Sequence, residues 1–291
     1  MAAPSEFPPP VDPQREFIKR SLDAEDDLIE VGVAIVGGGT AGLACANRLL
    51  QLLEGDRELL EALGEVPVAV IEKAKTCGGH IMSGAVMRPG PLQELFPDLS
   101  REDWRRERFA FGEVRKEAVY LVPNAKRAIK IPTPPNFKNH GNEVISVAAL
   151  ARYQQRLAEE AGAYVLTETA AAQLIVVDGA VVGVRSGDKG RGKDGEPLSN
   201  FEPGADIKAQ ATVLAEGCWG HLTGAAIREF DLGDNREPQV WELGVKEVWK
   251  VAKPLDRVIH TLGPWPLKLS SKYGQIGGTW IYPMKNEKTG E

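Results

Sequence analysis

The stretch "VAIVGGGTAGLACANRLL", residues 33–50, joins an apolar run to a helix-like run through a cluster of glycines. Val33–Val36 end a run of mostly β-branched residues, which is typical of a strand buried on both faces of a parallel sheet. After Gly42, apolar residues recur at helical spacing. Because glycine loses more backbone entropy on folding than any other residue, four glycines at this junction need a structural reason.

The glycines have the spacing Gly37-x-Gly39-x-x-Gly42, which is the fingerprint of dinucleotide binding when a strand precedes it and a helix follows. Gly37 permits a tight turn, Gly39 leaves room for a pyrophosphate against the backbone, and Gly42 lets the helix pack closely on the strand. The N–H groups of the first helical turn, at Thr40 and Ala41, then face the phosphates. We also expect Thr40 to cap the helix.

A second strand, "VPVAVIEK" (66–73), ends in Glu72 and Lys73. A carboxylate at this position accepts hydrogen bonds from the adenosine ribose and repels a 2′-phosphate, which disfavours NADP. Glu72 lies 72 − 42 = 30 residues after Gly42, more than the usual spacing of about 20. We attribute the excess to a helical insertion over residues 54–65. The alternative is that Glu72 is a solvated charge at a strand end.

A loop of small residues, "CGGHIMSGAVM" (77–87), follows the second strand. Gly79, Ser83 and Gly84 in this loop are candidates for approaching a cofactor, and a plain connection is the alternative. Further along, the pattern predicts an amphipathic helix ending at Gly162.

A hairpin is predicted to turn at residues 178–179, where the sequence reads Asp-Gly. The apolar strand 212–215 then runs into Glu216-Gly217 and a second helix. Two strand–glycine–helix crossings with a hairpin between them favour a fold that holds FAD over a simple NAD domain.

The composition of the chain gives evidence against several kinds of function. The net charge of −6 gives no indication of nucleic-acid binding. The three cysteines, Cys45, Cys77 and Cys218, form no CxxC pair, which argues against a disulfide framework or a metal site within this chain. We expect Cys45, in the first helix, to be a core residue and Cys218 to be structural rather than reactive. No apolar run approaches the roughly 20 residues that span a bilayer.

The first 30 residues are proline-rich and acidic. A signal peptide needs an apolar segment and a transit peptide avoids acids, so neither is indicated. We interpret residues 1–30 as a flexible or loosely docked extension.

Seven further segments, in order along the chain, make it resemble the electron-transfer flavoprotein–ubiquinone oxidoreductases, FAD proteins of the glutathione-reductase-like superfamily. The resemblance runs from about residue 31 to residue 291. The segments are "VIEKA" (70–74), "HIMSGAVMRPGPLQELFPD" (80–98), "IPTPPNFKNHGN" (131–142), "KDGEPLSNFEPG" (193–204), "TVLAEGCWGHL" (212–222), "EPQVWELGVKEVW" (237–249) and "HTLGPWPLKLSSKYGQIGGTWIY" (260–282).

The resemblance implies an α/β fold in two parts. Residues 31–235 would form an FAD-binding Rossmann-like domain of the glutathione-reductase type with an inserted β-hairpin. Residues 236–291 would begin an α+β quinone-binding domain, truncated at 291. Gly277 and Gly278 match the family's paired glycines beside the quinone head group, and a strand bulge or turn is the alternative.

The resemblance also implies electron transfer from reduced electron-transfer flavoprotein to ubiquinone at a membrane surface. The protein would sit peripherally on the mitochondrial inner or the bacterial cytoplasmic membrane. The family carries a [4Fe–4S] cluster, but such a cluster needs about four thiolates and this chain lacks those cysteines. The basic residues Lys126, Arg127, Lys130 and Lys138, interleaved with apolar ones, are candidates for membrane contact. A solvated loop is the alternative.

We assign no catalytic acid or base, because in an electron-transfer flavoprotein the isoalloxazine ring carries the redox chemistry. His140, between turn residues, is the histidine of most interest, although a loop-capping role is the simpler interpretation. Two other functions stay open. One is a different flavoprotein of the superfamily, such as a monooxygenase or an isoprenoid reductase. The other is an incomplete, inactive nucleotide-binding fragment.

Overall fold

A computed structural model describes residues 16–22, 28–237, 242–263, 265 and 277–285. Residues 1–15 and 23–27 of the expected extension, and part of the expected quinone-binding region, lie outside the described residues. The chain divides into two compact units. The first comprises residues 1–80 and 151–243, and the second comprises 81–150 and 244–291. The expected contiguous domain 31–235 thus contains a stretch, 81–150, that groups with the C-terminal residues.

Helices and strands are numbered in chain order. The helices are α1 (Thr40–Leu53), α2 (Arg57–Ala62), α3 (Gly90–Leu95), α4 (Arg101–Arg106), α5 (Val147–Glu160) and α6 (His221–Glu229). The strands are β1 (Ile18–Lys19), β2 (Leu28–Val36), β3 (Val68–Ile71), β4 (Ala85–Met87), β5 (Ala110–Glu113), β6 (Glu117–Asn124), β7 (Arg127–Ile131), β8 (Glu143–Ile145), β9 (Tyr164–Leu166), β10 (Ala171–Val177), β11 (Ala180–Ser186), β12 (Lys189–Arg191), β13 (Pro197–Glu202), β14 (Asp206–Leu214), β15 (Val258–Gly263) and β16 (Gly277–Ile281).

The main sheet of the first unit has, among the described residues, the strand order β1-β10-β11-β14-β2-β3-β9. Strands β14, β2, β3 and β9 pair in parallel, and the antiparallel pair β10–β11 continues the sheet beside β14. Strand β3 pairs with one edge of β2, and β14, which comes much later in the chain, pairs with the other edge. The strand order therefore reverses between β2 and β14, which is the kind of switch point where open α/β sheets bind ligands.

The first unit folds this way because its central strands are apolar on both faces. Every residue of β2 from Val31 to Val36 is buried, as is all of β3. Helix α1 turns a stripe that includes Leu43, Leu50 and Leu53 towards the interior. Fully burying a side chain such as Leu43 stabilises the fold by roughly 1.5–3 kcal/mol. The predicted strand–turn–helix unit is confirmed.

The predicted hairpin is also confirmed. Strands β10 and β11 pair antiparallel, and Val177 lies opposite Ala180. The two residues between them have positive φ, 50° at Asp178 and 78° at Gly179. This is the conformation of a type I′ turn, whose twist matches that of the flanking strands.

Residues 16–22 lie at the edge of the main sheet, where β1 pairs in parallel with β10. Lys19 Nζ donates to Asp206 Oδ2 at 2.7 Å, and Arg185 Nη1 donates to Asp206 Oδ1 at 2.8 Å. Arg20 makes two hydrogen bonds to the Glu229 carboxylate at the end of α6. This part of the expected loose extension is therefore docked on the sheet.

The second unit contains a four-stranded sheet of order β16-β15-β6-β7 and a three-stranded sheet of order β4-β8-β5, within the described ranges. Strands β6 and β15 pair in parallel although about half the chain separates them. The carboxylate of Glu143 is fully buried and accepts a hydrogen bond from Arg105. None of the helices in the described part of the chain combines the length and apolarity needed to cross a bilayer.

Candidate dinucleotide-binding site

The site begins where three parallel strands end at the same edge of the sheet. Val36 of β2 lies in register with Ile71 of β3 and with Leu214 of β14. The next residues, Gly37, Glu72 and Ala215, therefore emerge side by side at the switch point. The sequence patterns placed these residues at strand ends, and the register brings the three ends together.

Gly37 and Gly42 occupy positions that have no room for a side chain. Gly37 has a φ of +112°, and a Cβ added to it would lie 2.3 Å from the carbonyl oxygen of Ala215. Its N–H donates to the carbonyl of Ile71 at 2.8 Å. A Cβ at Gly42 would lie 2.1 Å from the carbonyl oxygen of Gly37. The turn thus ties α1 closely to the ends of β3 and β14.

Helix α1 begins at Thr40, and Gly39 is its N-cap with φ −81° and ψ 176°. The expected capping role of Thr40 is wrong, because Thr40 is already the first helical residue and a capping side chain must come from the extended residue before it. No side chain caps this N-terminus, and the first turn carries no acidic residue. The N–H groups of the first turn and the positive end of the helix dipole therefore remain available to an anion.

Glu72 follows β3, and 9% of its surface is exposed. Its Oε2 accepts a hydrogen bond from Gly38 N and its Oε1 accepts one from Ala74 N, each at 2.7 Å. His80 Nδ1 lies 4.0 Å from Oε1. A carboxylate has about four acceptor positions, so two remain for hydroxyl donors. The interpretation of Glu72 as a merely solvated charge does not fit this buried, oriented carboxylate.

Gly38 and Cys77 are a pair that sequence reasoning missed. A Cβ at Gly38 would lie 2.5 Å from Cys77 Sγ and 3.0 Å from Glu72 Cβ, so Gly38 also excludes a side chain. Cys77 is fully buried. Desolvation raises the pKa of its thiol to about 12, and the charges of Glu72 and Glu159 add to this effect. The only sequence signal for this contact was Gly38 itself, a glycine between Gly37 and Gly39 that the fingerprint does not require.

Glu216 and Gly217, which follow β14, are predicted to contact the cofactor, and the Glu216 carboxylate also has partners within the fold. Its Oε2 accepts hydrogen bonds from Thr223 N at 2.7 Å and from Thr223 Oγ1 at 2.8 Å, and its Oε1 accepts one from Leu222 N at 3.3 Å. The carboxylate thus caps the N-terminus of α6. Gly217 follows with a φ of +78°, a conformation that glycine adopts without strain. An acid shortly before a predicted helix was the sequence signal for this cap.

The other predicted site residues divide between the two units. Lys73 and Gly79 are exposed in the first unit. Ser83 and Gly84 belong to the second unit, where Ser83 Oγ lies 2.7 Å from Ser146 Oγ and Gly84 has a φ of +102°. Ala41 lies exposed in the first turn of α1.

Gly277 and Gly278 open the edge strand β16, opposite Gly263 and Leu262 of β15. A Cβ at Gly278 would lie 2.9 Å from the carbonyl oxygen of Thr261. The glycine therefore lets β16 approach β15 closely and leaves the sheet surface flat at this point.

Within the described ranges, His, Cys, Asp and Glu side chains form no group of three or more that could hold a metal ion. Cys45 is half-buried in α1 and Cys218 is exposed. Cys45 is thus less buried than the predicted core position requires.

These features define an α/β protein with a Rossmann-like dinucleotide-binding unit. A family model described as an NAD(P)-binding Rossmann-like domain matches residues 35–97, which include β3 and α1. The chain is homologous to electron-transfer flavoprotein–ubiquinone oxidoreductases, and the resemblance noted in its motifs is confirmed. It is 36% identical over 275 residues to a probable enzyme of this name from Acinetobacter baylyi. It is 37% identical over 262 residues to the mitochondrial enzyme of Bos taurus.

The alignments cover 92% and 88% of this chain but 46% and 40% of the two relatives. The chain thus spans less than half the length of the curated relatives it matches. A solved structure of a geranylgeranyl bacteriochlorophyll reductase-like protein from Thermoplasma acidophilum is 21% identical, with a TM-score of 0.43 over 65% of this chain and 40% of that one. Values this low assign no function.

Proposed function

We propose that this chain binds FAD and takes part in passing electrons from reduced electron-transfer flavoprotein to ubiquinone. The observation that carries the proposal is the alignment of about nine-tenths of the chain with oxidoreductases of that name. The geometry at the switch point supports the cofactor, and the sheet of the second unit supports the acceptor.

The residues at the switch point fit a dinucleotide such as FAD. Gly37, Gly38 and Gly42 leave no room for a side chain, and the uncapped first turn of α1 presents backbone N–H groups to a pyrophosphate. Glu72 retains acceptor positions for ribose hydroxyls. When bound, FAD supplies the redox chemistry, whereas these residues bind it, orient it and hold the turn in shape.

The four-stranded sheet of the second unit offers a surface for a quinone. Gly278 lies in register with Leu262, which lies in register with Leu121, and Leu121 pairs with Ile129. Residues in register share a face of the sheet, so one row combines a glycine with three aliphatic side chains. Leu121 and Ile129 are 39% and 50% exposed. A flat, apolar ring packs well on such a row.

The iron–sulfur cluster of the family does not fit this chain's residues. A [4Fe–4S] cluster is held by about four thiolates, and the sequence contains three cysteines. Of these, Cys77 is fully buried against the glycine turn with a protonated thiol at neutral pH. We therefore assign no role in cluster binding to these cysteines.

We propose a peripheral position on an inner membrane, with the β6–β7 hairpin as the contact. Lys126, Arg127 and Lys130 are exposed on this hairpin beside the exposed Ile129. Basic side chains are attracted to anionic lipid head groups at roughly 1 kcal/mol each, and aliphatic side chains can enter the interface.

Two half-reactions test the proposed function. The purified chain loaded with FAD is mixed with reduced electron-transfer flavoprotein, and separately its chemically reduced form is mixed with a short-chain ubiquinone. In the first experiment we expect the FAD of the chain to be reduced while the flavin of electron-transfer flavoprotein is reoxidised, and the two proteins are separated without oxygen before the absorbance of the chain is read. In the second experiment we expect the flavin absorbance of the chain to recover as the quinone is reduced. Recovery should be slower in Gly278→Val, which fills the apolar row, than in Gly55→Val on the first unit. Oxidation of NADPH without response to either partner would contradict the proposal and indicate another flavoprotein of the superfamily.

A further inference from the structure

His260 is a buried side chain on β15, and only 4% of its surface is exposed. Its ring packs edge-on against Phe137 with the centroids 5.3 Å apart. Its Nε2 lies 3.2 Å from Asn139 Nδ2, and its Nδ1 has no hydrogen-bond partner among the described residues. A buried polar atom without a partner is rare in a folded protein and needs an explanation.

The hydrogen bonds around Asn139 determine which nitrogen of His260 carries the proton. Asn139 Nδ2 donates to the carbonyl oxygen of Phe137 at 2.8 Å. A carbonyl oxygen only accepts, so the amide group cannot be flipped, and the second hydrogen of Nδ2 points to His260. His260 Nε2 must therefore be an acceptor, and in the neutral ring the proton lies on Nδ1.

The ring is held neutral by its surroundings. Burial lowers the pKa of His260, and the nearby carboxylate of Glu117 opposes this effect only in part. That carboxylate is also engaged, because Glu117 Oε2 accepts a hydrogen bond from Asn139 N at 2.6 Å. The result is a buried Nδ1–H donor on a neutral imidazole.

His260 lies on the face of the sheet that carries Gly278. It is in register with Trp280 of β16, whereas Leu262 is in register with Gly278. Side chains two residues apart on a strand point to the same face. The donor is therefore one row from the glycine row, at the boundary between the buried and exposed parts of this face.

We propose that His260 Nδ1–H is a hydrogen-bond donor to a carbonyl oxygen of a quinone ring bound on the row that contains Gly278. This inference rests on the proposed function, because it places an acceptor of that chemistry on this face. A quinone carbonyl accepts without donating, which is the chemistry that an unpaired N–H requires. Asn139 is then a positioning residue, since it acts only by fixing the tautomer.

Two substitutions separate the roles of the two ring nitrogens. In His260→Gln the amide reaches the position of Nε2 and can still accept from Asn139, but the donor at the Nδ1 position is lost. In His260→Asn the shorter amide places a donor near the Nδ1 position. We expect ubiquinone-1 to bind about fivefold to tenfold more weakly to His260→Gln, the effect of one hydrogen bond. His260→Asn and the exposed control His140→Gln should change the affinity by less than about twofold.

Nuclear magnetic resonance of the chain labelled with ¹⁵N-histidine gives a readout that a purely structural role would not change. The chain has four histidines, and His260→Gln assigns the signal. We expect Nδ1 protonated and Nε2 unprotonated at pH 7.5, with the Nδ1 proton moving downfield as ubiquinone-1 is added. A protonated Nε2, or a quinone that binds without shifting this proton, would overturn the inference alone. Absence of quinone binding to the unmodified chain would overturn both the inference and the quinone part of the proposed function.

Discussion

At the scale of single residues, the glycine turn is organised by two features that meet at Gly38. Its N–H donates to the Glu72 carboxylate, and the absence of a Cβ leaves room for Cys77. The same residue thus orients the proposed ribose acceptor and allows a buried thiol to pack against the turn. Gly38 therefore leaves as little room for a side chain as Gly37 and Gly42 do.

Gly38→Ala should destabilise the fold by about 1–3 kcal/mol, because the new methyl group overlaps Cys77 Sγ and the core must shift to accommodate it. Replacing Cys77 with Ala in the same chain removes the closest atom, so the double variant should recover part of the loss. The free energy of unfolding in urea measures both effects. Gly55→Ala is the control, since a Cβ there has nothing within 4 Å. Equal stabilities of Gly38→Ala and Gly55→Ala would contradict the packing described.

At the scale of elements, the short strand β1 is held to the main sheet by Asp206, whose side chain is fully buried between Lys19 and Arg185. The ion pairs Lys19–Asp206 and Arg20–Glu229 connect β1 to β14 and to the end of α6. Buried pairs of this kind are sensitive to the loss of one partner, because the remaining charge is left poorly compensated.

Lys19→Met keeps the aliphatic stem and removes the charge, so it should lower the free energy of unfolding by about 1–3 kcal/mol. Arg57→Met is the matched control on an ion pair whose two side chains are 91% and 69% exposed. Exposed pairs contribute little, so the control should change stability by less than about 0.5 kcal/mol. Thermal and urea unfolding compare the two. A loss in Lys19→Met no larger than in Arg57→Met would contradict a stabilising role of the Lys19–Asp206 ion pair.

His260 makes the stability of the chain depend on pH in a defined direction. Because burial lowers its pKa, the unfolded state takes up a proton below pH 6.5 while the folded state does not. Its contribution to stability is therefore complete above pH 6.5 and is lost as the pH falls from there towards the folded pKa, by at most about 1.4 kcal/mol per pH unit. The unmodified chain should lose more stability than His260→Gln between pH 7.5 and 5.5. If the two chains lost the same stability over this pH range, the result would contradict a buried, neutral imidazole at His260.

The elements also show which parts of the fold the sequence could predict. The turn after β2 and the Asp178-Gly179 hairpin were predicted correctly, because their signals are local and stem from the φ that glycine alone adopts easily. The parallel pairing of β6 with β15 could not be read from any local pattern, since it joins distant residues. Thr40 was predicted to be the N-cap of α1, but it is the first helical residue. The sequence could not separate these two positions, because threonine occurs at both.

In the candidate site too, local features could be predicted from the sequence and contacts between separate segments could not. The sequence placed Gly37 and Glu72 at strand ends, and the register of β2 with β3 explains why they meet. The pairing of Gly38 with Cys77 depends on how the 77–79 loop folds back, which no spacing encodes. His260 was one of four histidines without a motif, and only the orientation of Asn139 shows that its Nδ1 carries an unpaired proton.

At the scale of the whole molecule, the proposed membrane contact predicts a weak, salt-sensitive association. The chain should sediment with anionic liposomes at low salt and stay in the supernatant at high salt, because ions screen charges over about 10 Å at 0.1 M. Replacing Lys126, Arg127, Lys130 and Lys138 with Gln should abolish sedimentation. The control replaces four exposed basic residues of the first unit, Arg48, Arg57, Lys75 and Lys193. Equal behaviour of the two variants would contradict a specific role for the β6–β7 hairpin and leave the flavin site unaffected.

We propose that the turn between β2 and α1 holds the pyrophosphate of FAD, and a flavin titration of Gly39→Val tests this claim. Gly39 has an extended conformation, φ −81° and ψ 176°, that valine adopts without strain. The variant should therefore fold, with a loss of stability of about 1 kcal/mol because valine is a poorer N-cap than glycine, while its side chain blocks the approach of the phosphates. We expect the unmodified chain to bind one FAD and Gly39→Val to bind it at least about tenfold more weakly, a difference of 1.4 kcal/mol or more. Equal affinity of the two chains for FAD, with both folded, would contradict the claim.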